Sequence, residues 1–360
     1  MLFPLKARPG DRIAVLSPSF AAPAVSVALH EQAMARLRQT TGLVPVEYPT
    51  TRLRGASPAA RAADVNAAFA DPDIRAIIAT IGGDDQVLVT PHLDPSLPRT
   101  DPKPFLGYSD NTNILSWLWR NGVAAFHGGS TQIHLGAGPE VDNIHARSLR
   151  AALLEGGAIL LTEPGESEDF GRRWESPRSL VEFGDRSESG SWTWSGPEHR
   201  VAGRTWGGCF EVLDQLALAD RLPAAGELRG AVLLLEASER LTSVETITSW
   251  VRGLGERGML AEVAGVLVAR PPVSTFDAVP PAEEARRMRG AQRDAVVAEI
   301  SRYNPEAVVC VGVPFGHTRP QWILPYGGEV VLDGAARTVT ACYGDVEAGT
   351  GARRRTTLTG

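Results

Sequence analysis

Three residues of this chain have the chemistry of an acyl-transfer site. Ser109 stands in Gly107-Tyr108-Ser109-Asp110-Asn111, Glu236 closes the apolar run AVLLLE, and His317 sits in a Gly-His-Thr turn. A serine hydroxyl is inert until an imidazole takes its proton, and the imidazole needs a carboxylate to hold its tautomer. The chain order Ser, Glu, His is permitted, because such triads are recognised by geometry. Each residue also has an ordinary structural use. Ser109 suits the N-terminus of a following helix, Glu236 could pair with Arg240 or cap at Thr242, and His317 could simply belong to its turn.

The surroundings of Ser109 favour the chemical use. Apolar residues run up to Tyr108, and then Ile114, Leu115, Trp117 and Leu118 fall at helical spacing. A strand-to-helix turn exposes the hydroxyl, and the Asp110 N–H, at a helix start, points toward developing negative charge. A second donor could come from Gly82-Gly83, where no side chain keeps a substrate carbonyl from the backbone. The motif is not G-x-S-x-G, since Asn111 stands at the second glycine, so ordinary α/β-hydrolase membership is not supported. His127, His134 and His145 follow no zinc-binding spacing, and no metal is assigned. Gly82-Gly83-Asp84-Asp85 lacks both GxGxxG and a Walker lysine, so no dinucleotide or other cofactor is expected.

The elements that must position these residues alternate. Strands are predicted over 11–17, 75–81, 104–108 and 123–126, with helices over 25–41, 58–69 and 110–121 between them. A second series begins with a helix over 208–219. Strands at 231–235, 263–269 and 307–312 follow, with helices at 243–257 and 282–303 between them, and short extended runs at 322–326, 329–332 and 338–342. Such alternation means βαβ units and mostly parallel sheets, with functional residues in loops at the carboxyl ends of strands. The fold class is therefore α/β in two domains: an N-terminal Rossmann-like domain with a parallel sheet, and a C-terminal α/β domain with a β-rich closing element. The expected boundaries are 1–165 for the domain of the nucleophile, 166–205 for a tryptophan-containing loop, 206–350 for the domain of Glu236 and His317, and 351–360 for a disordered tail. The polar loop carries Trp174, Trp192 and Trp194, more indole than a linker needs. They are candidates for contact with a substrate or with the loop's own domain.

Composition narrows the partners. The 360 residues are 43% hydrophobic and 22% charged with a net charge of −6, as in a globular protein with ample core and no basic face for a nucleic-acid polymer. No secretory leader is visible at the N-terminus, and no apolar run approaches the ~20 residues of a membrane span. Cys209, Cys310 and Cys342 are few, odd in number and widely spaced, which suits a reducing compartment, so a cytoplasmic location is expected.

Five segments in order carry a family resemblance: IGGDDQ with PHLD, FLGYSDNTNIL, WGGCFEVLDQLAL, LLLEASE, and VPFGHT with LPYGGEV. The chain resembles the LD-carboxypeptidase and microcin C immunity family of serine peptidases. The resemblance implies Ser109 as nucleophile, Glu236 and His317 as its partners, Gly83 and Asp110 as oxyanion-hole residues, and a homodimer. It implies one of two activities. The first is hydrolysis of an aminoacyl-nucleotide-like toxin such as processed microcin C, for self-immunity. The second is removal of the terminal D-alanine from a murein tetrapeptide in cell-wall recycling. The tryptophan-bearing loop favours the first, because an indole that stacks on a base supplies about 1–3 kcal/mol. A non-catalytic sequestering protein is the alternative outside hydrolysis. Two positions depart from the pattern: Cys209 stands where asparagine is expected, and Gln86 where a small hydroxyl residue is common.

Overall fold

The computed structural model describes residues 1–344, so the tail expected at 351–360 lies outside the described residues. The first sheet is built from β1 (Arg12–Leu16), β2 (Val44–Glu47), β3 (Ile74–Ala79), β4 (Phe105–Gly107) and β5 (Ala125–His127). Next come β6 (Ala158–Leu160), a small ribbon of β7 (Glu166–Ser167) with β8 (Ser187–Glu188), and β9 (Thr193–Ser195). The second sheet draws on β10 (Arg200–Cys209), β11 (Val232–Glu236), β12 (Gly265–Ala269) and β13 (Val308–Val313). The chain closes with β14 (Leu324–Tyr326), β15 (Glu329–Asp333) and β16 (Thr338–Cys342).

Strands β1 to β5 pair in parallel, in the order β5-β4-β3-β1-β2. Runs such as RIAVL and IRAIIA are apolar at nearly every position because helices cover both faces of such a sheet. In the second sheet β10, β11, β12 and β13 are parallel in that order. Strand β10 curls from one pairing to another. Its first half, Arg200–Arg204, runs antiparallel to β15, and its second half, Thr205–Cys209, runs parallel to β11. The helices between strands begin where the sequence provides caps: Ser26, Ser57 and Ser243 each accept a backbone N–H of the first turn.

Two segments cross the expected domain limits. Strand β6 precedes residue 165 yet pairs with β16 in the second sheet, and β14 follows residue 206 yet pairs antiparallel with β5 in the first. The physical gain is edge protection, since β14 covers a β5 edge that would otherwise present unpaired backbone groups. The 166–205 segment is likewise not all loop. It contains the β7–β8 ribbon, β9 on the outer edge of the second sheet, and the start of β10. Among the described residues no helix is long and apolar enough to cross a membrane.

Candidate active site

Strand β4 ends at Gly107, and two residues later Ser109 has φ 61°, left-handed backbone that a residue with a Cβ rarely adopts. Holding it costs about 1–3 kcal/mol, so the surroundings must enforce it. They do so through the two residues that follow. The buried Asp110 carboxylate accepts from Ser19 Oγ, from the Gln86 N–H at 2.9 Å and from Asn113 Nδ2 at 3.0 Å. Asn111 Nδ2 donates to the carbonyls of Ile81 and Tyr108, both at 3.1 Å, and its Oδ1 accepts from Gln86 Nε2 at 2.8 Å. Gln86 is therefore part of the turn's buried frame. The helix proper starts only at Thr112, with Asn111 in the cap position, so Ser109 is not consumed in capping it.

Of the Gly82-Gly83 pair after β3, Gly82 packs directly on this turn and Gly83 on Ser19, which donates to Asp110. A Cβ at Gly82 would lie 2.8 Å from Ser109 Oγ and 3.1 Å from the Asp110 nitrogen. One at Gly83 would lie 2.0 Å from Ser19 Oγ. Only glycine lets this backbone lie beside the serine.

Glu236 is the last residue of β11, and His317 follows the end of β13. His317 Nδ1 and Glu236 Oε2 are 2.5 Å apart, a charge-assisted hydrogen bond. Nε2 of the same ring faces the Glu239 carboxylate at 3.3 Å. Burial pulls the imidazole's pKa down, but the charge and hydrogen bond of Glu236, helped by Glu239 and Glu211, outweigh it and raise it to about 9. Burial pushes the Glu236 carboxyl up, against the pull of the imidazolium. The other uses of Glu236 are taken elsewhere: Arg240 pairs with Asp84, and Thr242 Oγ1 donates to Glu211.

Ser109, Gly83 and His317 line one cavity of about 450 Å³, so the two sheets contribute to a single site. Tyr108 joins them, its ring 5.0 Å from that of His317, edge to face. The cavity wall includes Phe20, Phe170, Trp174 and Phe276. Of the three candidate tryptophans only Trp174 lines it. Trp192 and Trp194 are half-buried against the core at the β9 edge, where apolar rings cover the last strand of the second sheet.

Of His127, His134 and His145, the last two come together as stacked rings, while His127 stacks on Tyr326 instead. His134 and His145 lie 4.6 Å apart at 15°, and burial holds the imidazoles of all three below their usual range. Cys209, Glu236 and His317 offer donor atoms within 4.8 Å of one another. His317 Nδ1 and Glu236 Oε2, at 2.5 Å, are hydrogen-bonded to each other. The Cys209 thiol donates to Glu211 at 3.0 Å, and burial with two nearby carboxylates pushes its pKa well above the usual range, so it is no nucleophile. Tyr108, Glu239, Glu168 and Arg319 also reach the cavity and carried no signal in the sequence.

Residues 13–128 match the LD-carboxypeptidase N-terminal domain, and residues 202–332 match the LD-carboxypeptidase C-terminal domain. The chain belongs to the LD-carboxypeptidase family. It is thereby a serine-type carboxypeptidase or hydrolase. It is 26% identical over 334 residues to a Vibrio cholerae protein assigned as a carboxypeptidase by inference, covering 90% of this chain and 92% of that one. It is also 26% identical over 278 residues to the microcin C7 self-immunity protein MccF of Escherichia coli, covering 76% and 75%. A solved structure of MccF in complex with glutamyl sulfamoyl guanosine shares the fold, with a TM-score of 0.81 at 21% identity over 96% of this chain and 99% of that one.

Proposed function

We propose that this LD-carboxypeptidase-family enzyme hydrolyses the acyl bond of a small aminoacyl-nucleotide-like toxin, with Ser109 as nucleophile, His317 as base and Glu236 as its orienting carboxylate. Ser109 Oγ attacks the acyl carbon while His317 Nε2 takes its proton. The N–H groups of Asp110 and Gly83 receive the oxyanion, and the proton then passes to the leaving group. Water, activated by the same imidazole, releases the acyl group from Ser109. The role is self-immunity or detoxification in the cytoplasm, and the family resemblance carries the further proposal of a homodimer.

The cavity wall carries the choice of substrate. Phe170, Trp174 and Phe276 stand on the same cavity as Ser109 and His317, and aromatic faces suit a base better than a peptide stem. A murein tetrapeptide would instead ask for a free cation to receive its terminal carboxylate. The arginines that line the cavity each have a carboxylate partner, Arg172 in Asp185, Arg240 in Asp84 and Arg319 in Asp142, although Arg172 Nε makes no hydrogen bond among the described residues.

The test is mass-spectrometric hydrolysis by the wild type and Ser109→Ala, each given aspartyl-sulfamoyl-adenosine and, separately, an L,D-muramoyl tetrapeptide. Serine-dependent release of the nucleoside is expected, with the alanine variant folded and inactive. Loss of D-alanine alone would replace this reading with cell-wall recycling. Nucleoside binding without turnover by either protein would leave a sequestering protein.

A further inference from the structure

Glu168 opens the loop that carries Trp174, and its place relative to the catalytic turn is fixed. Its N–H donates to the Arg319 carbonyl at 2.8 Å, and the Arg319 N–H donates back to the Glu168 carbonyl at 2.9 Å. Arg319 is only two residues beyond His317, so this bridge ties Glu168 to the base of the site. The side chain is 1% exposed, and burial raises its pKa.

Around it, charges pair with one exception. Arg319 Nε donates to Asp142 at 2.6 Å, and Arg186 donates to the other Asp142 oxygen at 2.7 Å. What remains of Arg186 reaches Glu168 Oε2 only at 3.4 Å. Among the described residues Oε1 has no hydrogen-bond partner. It is turned toward Gly171, which lines the cavity with Glu168 and whose Cβ, if present, would lie 4.0 Å from that oxygen. A buried carboxylate oxygen without a donor is costly, and it persists where a ligand supplies the donor.

We propose that Glu168 Oε1 is the receptor for a primary ammonium group of the substrate, the free α-amino group of an aminoacyl moiety. This rests on the hydrolase reading above and sharpens it. Both arginines spend their shortest side-chain hydrogen bonds on Asp142, and Arg186 touches Glu168 through Oε2 at 3.4 Å, so an incoming ammonium group finds Oε1 uncontacted. Substrates with that amine acylated or deleted lose the contact. The enzyme then discriminates a toxin with an unblocked amino group from blocked peptides of similar size.

The test is calorimetric binding to the catalytically silent Ser109→Ala protein, alone and combined with Glu168→Gln. The ligands are aspartyl-sulfamoyl-adenosine with its desamino counterpart, and L-aspartyl amide with its desamino counterpart. The expected result is a preference of about 10- to 100-fold for the amine-bearing member of each pair, lost in the Glu168→Gln protein. Preference within the amide pair without any binding of the nucleosides would sink the nucleotide reading and keep the ammonium site. Equal binding of parent and desamino ligands, a preference that survives Glu168→Gln, or no binding of any amine-bearing ligand would overturn the site. The ligand comparison in the single Ser109→Ala protein does not depend on how the double variant folds.

Discussion

The two sides of the site are built from different materials. On the Ser109 side the working parts are conformation and close packing: a left-handed serine, a glycine packed against it, and an aspartate side chain clamped by three donors. On the His317 side they are charges: one imidazole between Glu236 and Glu239, with Glu211 further off. The first arrangement is set chiefly by volume and conformation, with the buried Asp110 carboxyl, its pKa raised by burial, as its one titrating part. The second is set by electrostatics and is tunable, since a neighbouring carboxylate moves an imidazole's titration without moving its atoms. Substitutions that change only charge and substitutions that change only volume therefore separate the two sides.

The largest charge-side effect falls on Glu236→Gln. It keeps the volume and removes the carboxylate that, in the proposed mechanism, holds the His317 tautomer, so kcat should fall by about 10⁴-fold with the fold intact. Steady-state turnover and a thermal melt check both halves of that statement. On the backbone side, Gly82→Ala puts a methyl 2.8 Å from Ser109 Oγ. The turn must shift, with a loss of roughly 10²-fold in kcat/KM and about 1–3 kcal/mol in stability by denaturant titration. A pH profile of the residual Gly82→Ala activity should keep the wild-type limb. A displaced limb would show that the two sides are coupled and break the comparison.

The same division governs what was legible in the sequence. Polar residues at the ends of apolar strands are conspicuous, so Ser109 and Glu236 stood out, and AVLLLE, GVLVA and VVCVGV gave away the parallel strands. Strand β10, RVAGRTWGGC, did not. Its glycines suggest a loop, but they are there because the strand passes against other backbone and side chains. A Cβ at Gly207 would meet the Leu234 carbonyl at 2.0 Å, and one at Gly208 the Thr112 side chain at 2.6 Å. The short edge strand VPVE was hidden by its proline. The ion network of Asp142, Arg186 and Arg319 was invisible for another reason. Charged side chains from three loops follow no periodicity, and pairs such as Arg319 with Asp142, 177 positions apart, leave no local trace. Trp192 and Trp194 were misleading candidates because an indole covering an edge strand and an indole awaiting a ligand look alike in sequence.

The finest test of the comparison is Glu239→Gln. His317 Nε2, the atom that would take the Ser109 proton, faces this carboxylate at 3.3 Å, and the imidazole titrates at about 9. Only the neutral ring is a base, so kcat/KM of the free enzyme should rise with pH through that value. Removing the Glu239 charge removes one of the influences that hold the proton on, so the limb moves to lower pH. Glu236 remains, so the limb stays above the ordinary histidine value. The Glu239 side chain is 67% exposed, so solvent screens it and the shift should be under about one pH unit. For the same reason, raising the salt concentration should shift the wild-type limb in the same direction and leave that of Glu239→Gln nearly still. Identical limbs in the two proteins at low salt would mean that Glu239 does not tune the base, and that the charge side is as rigidly set as the backbone side.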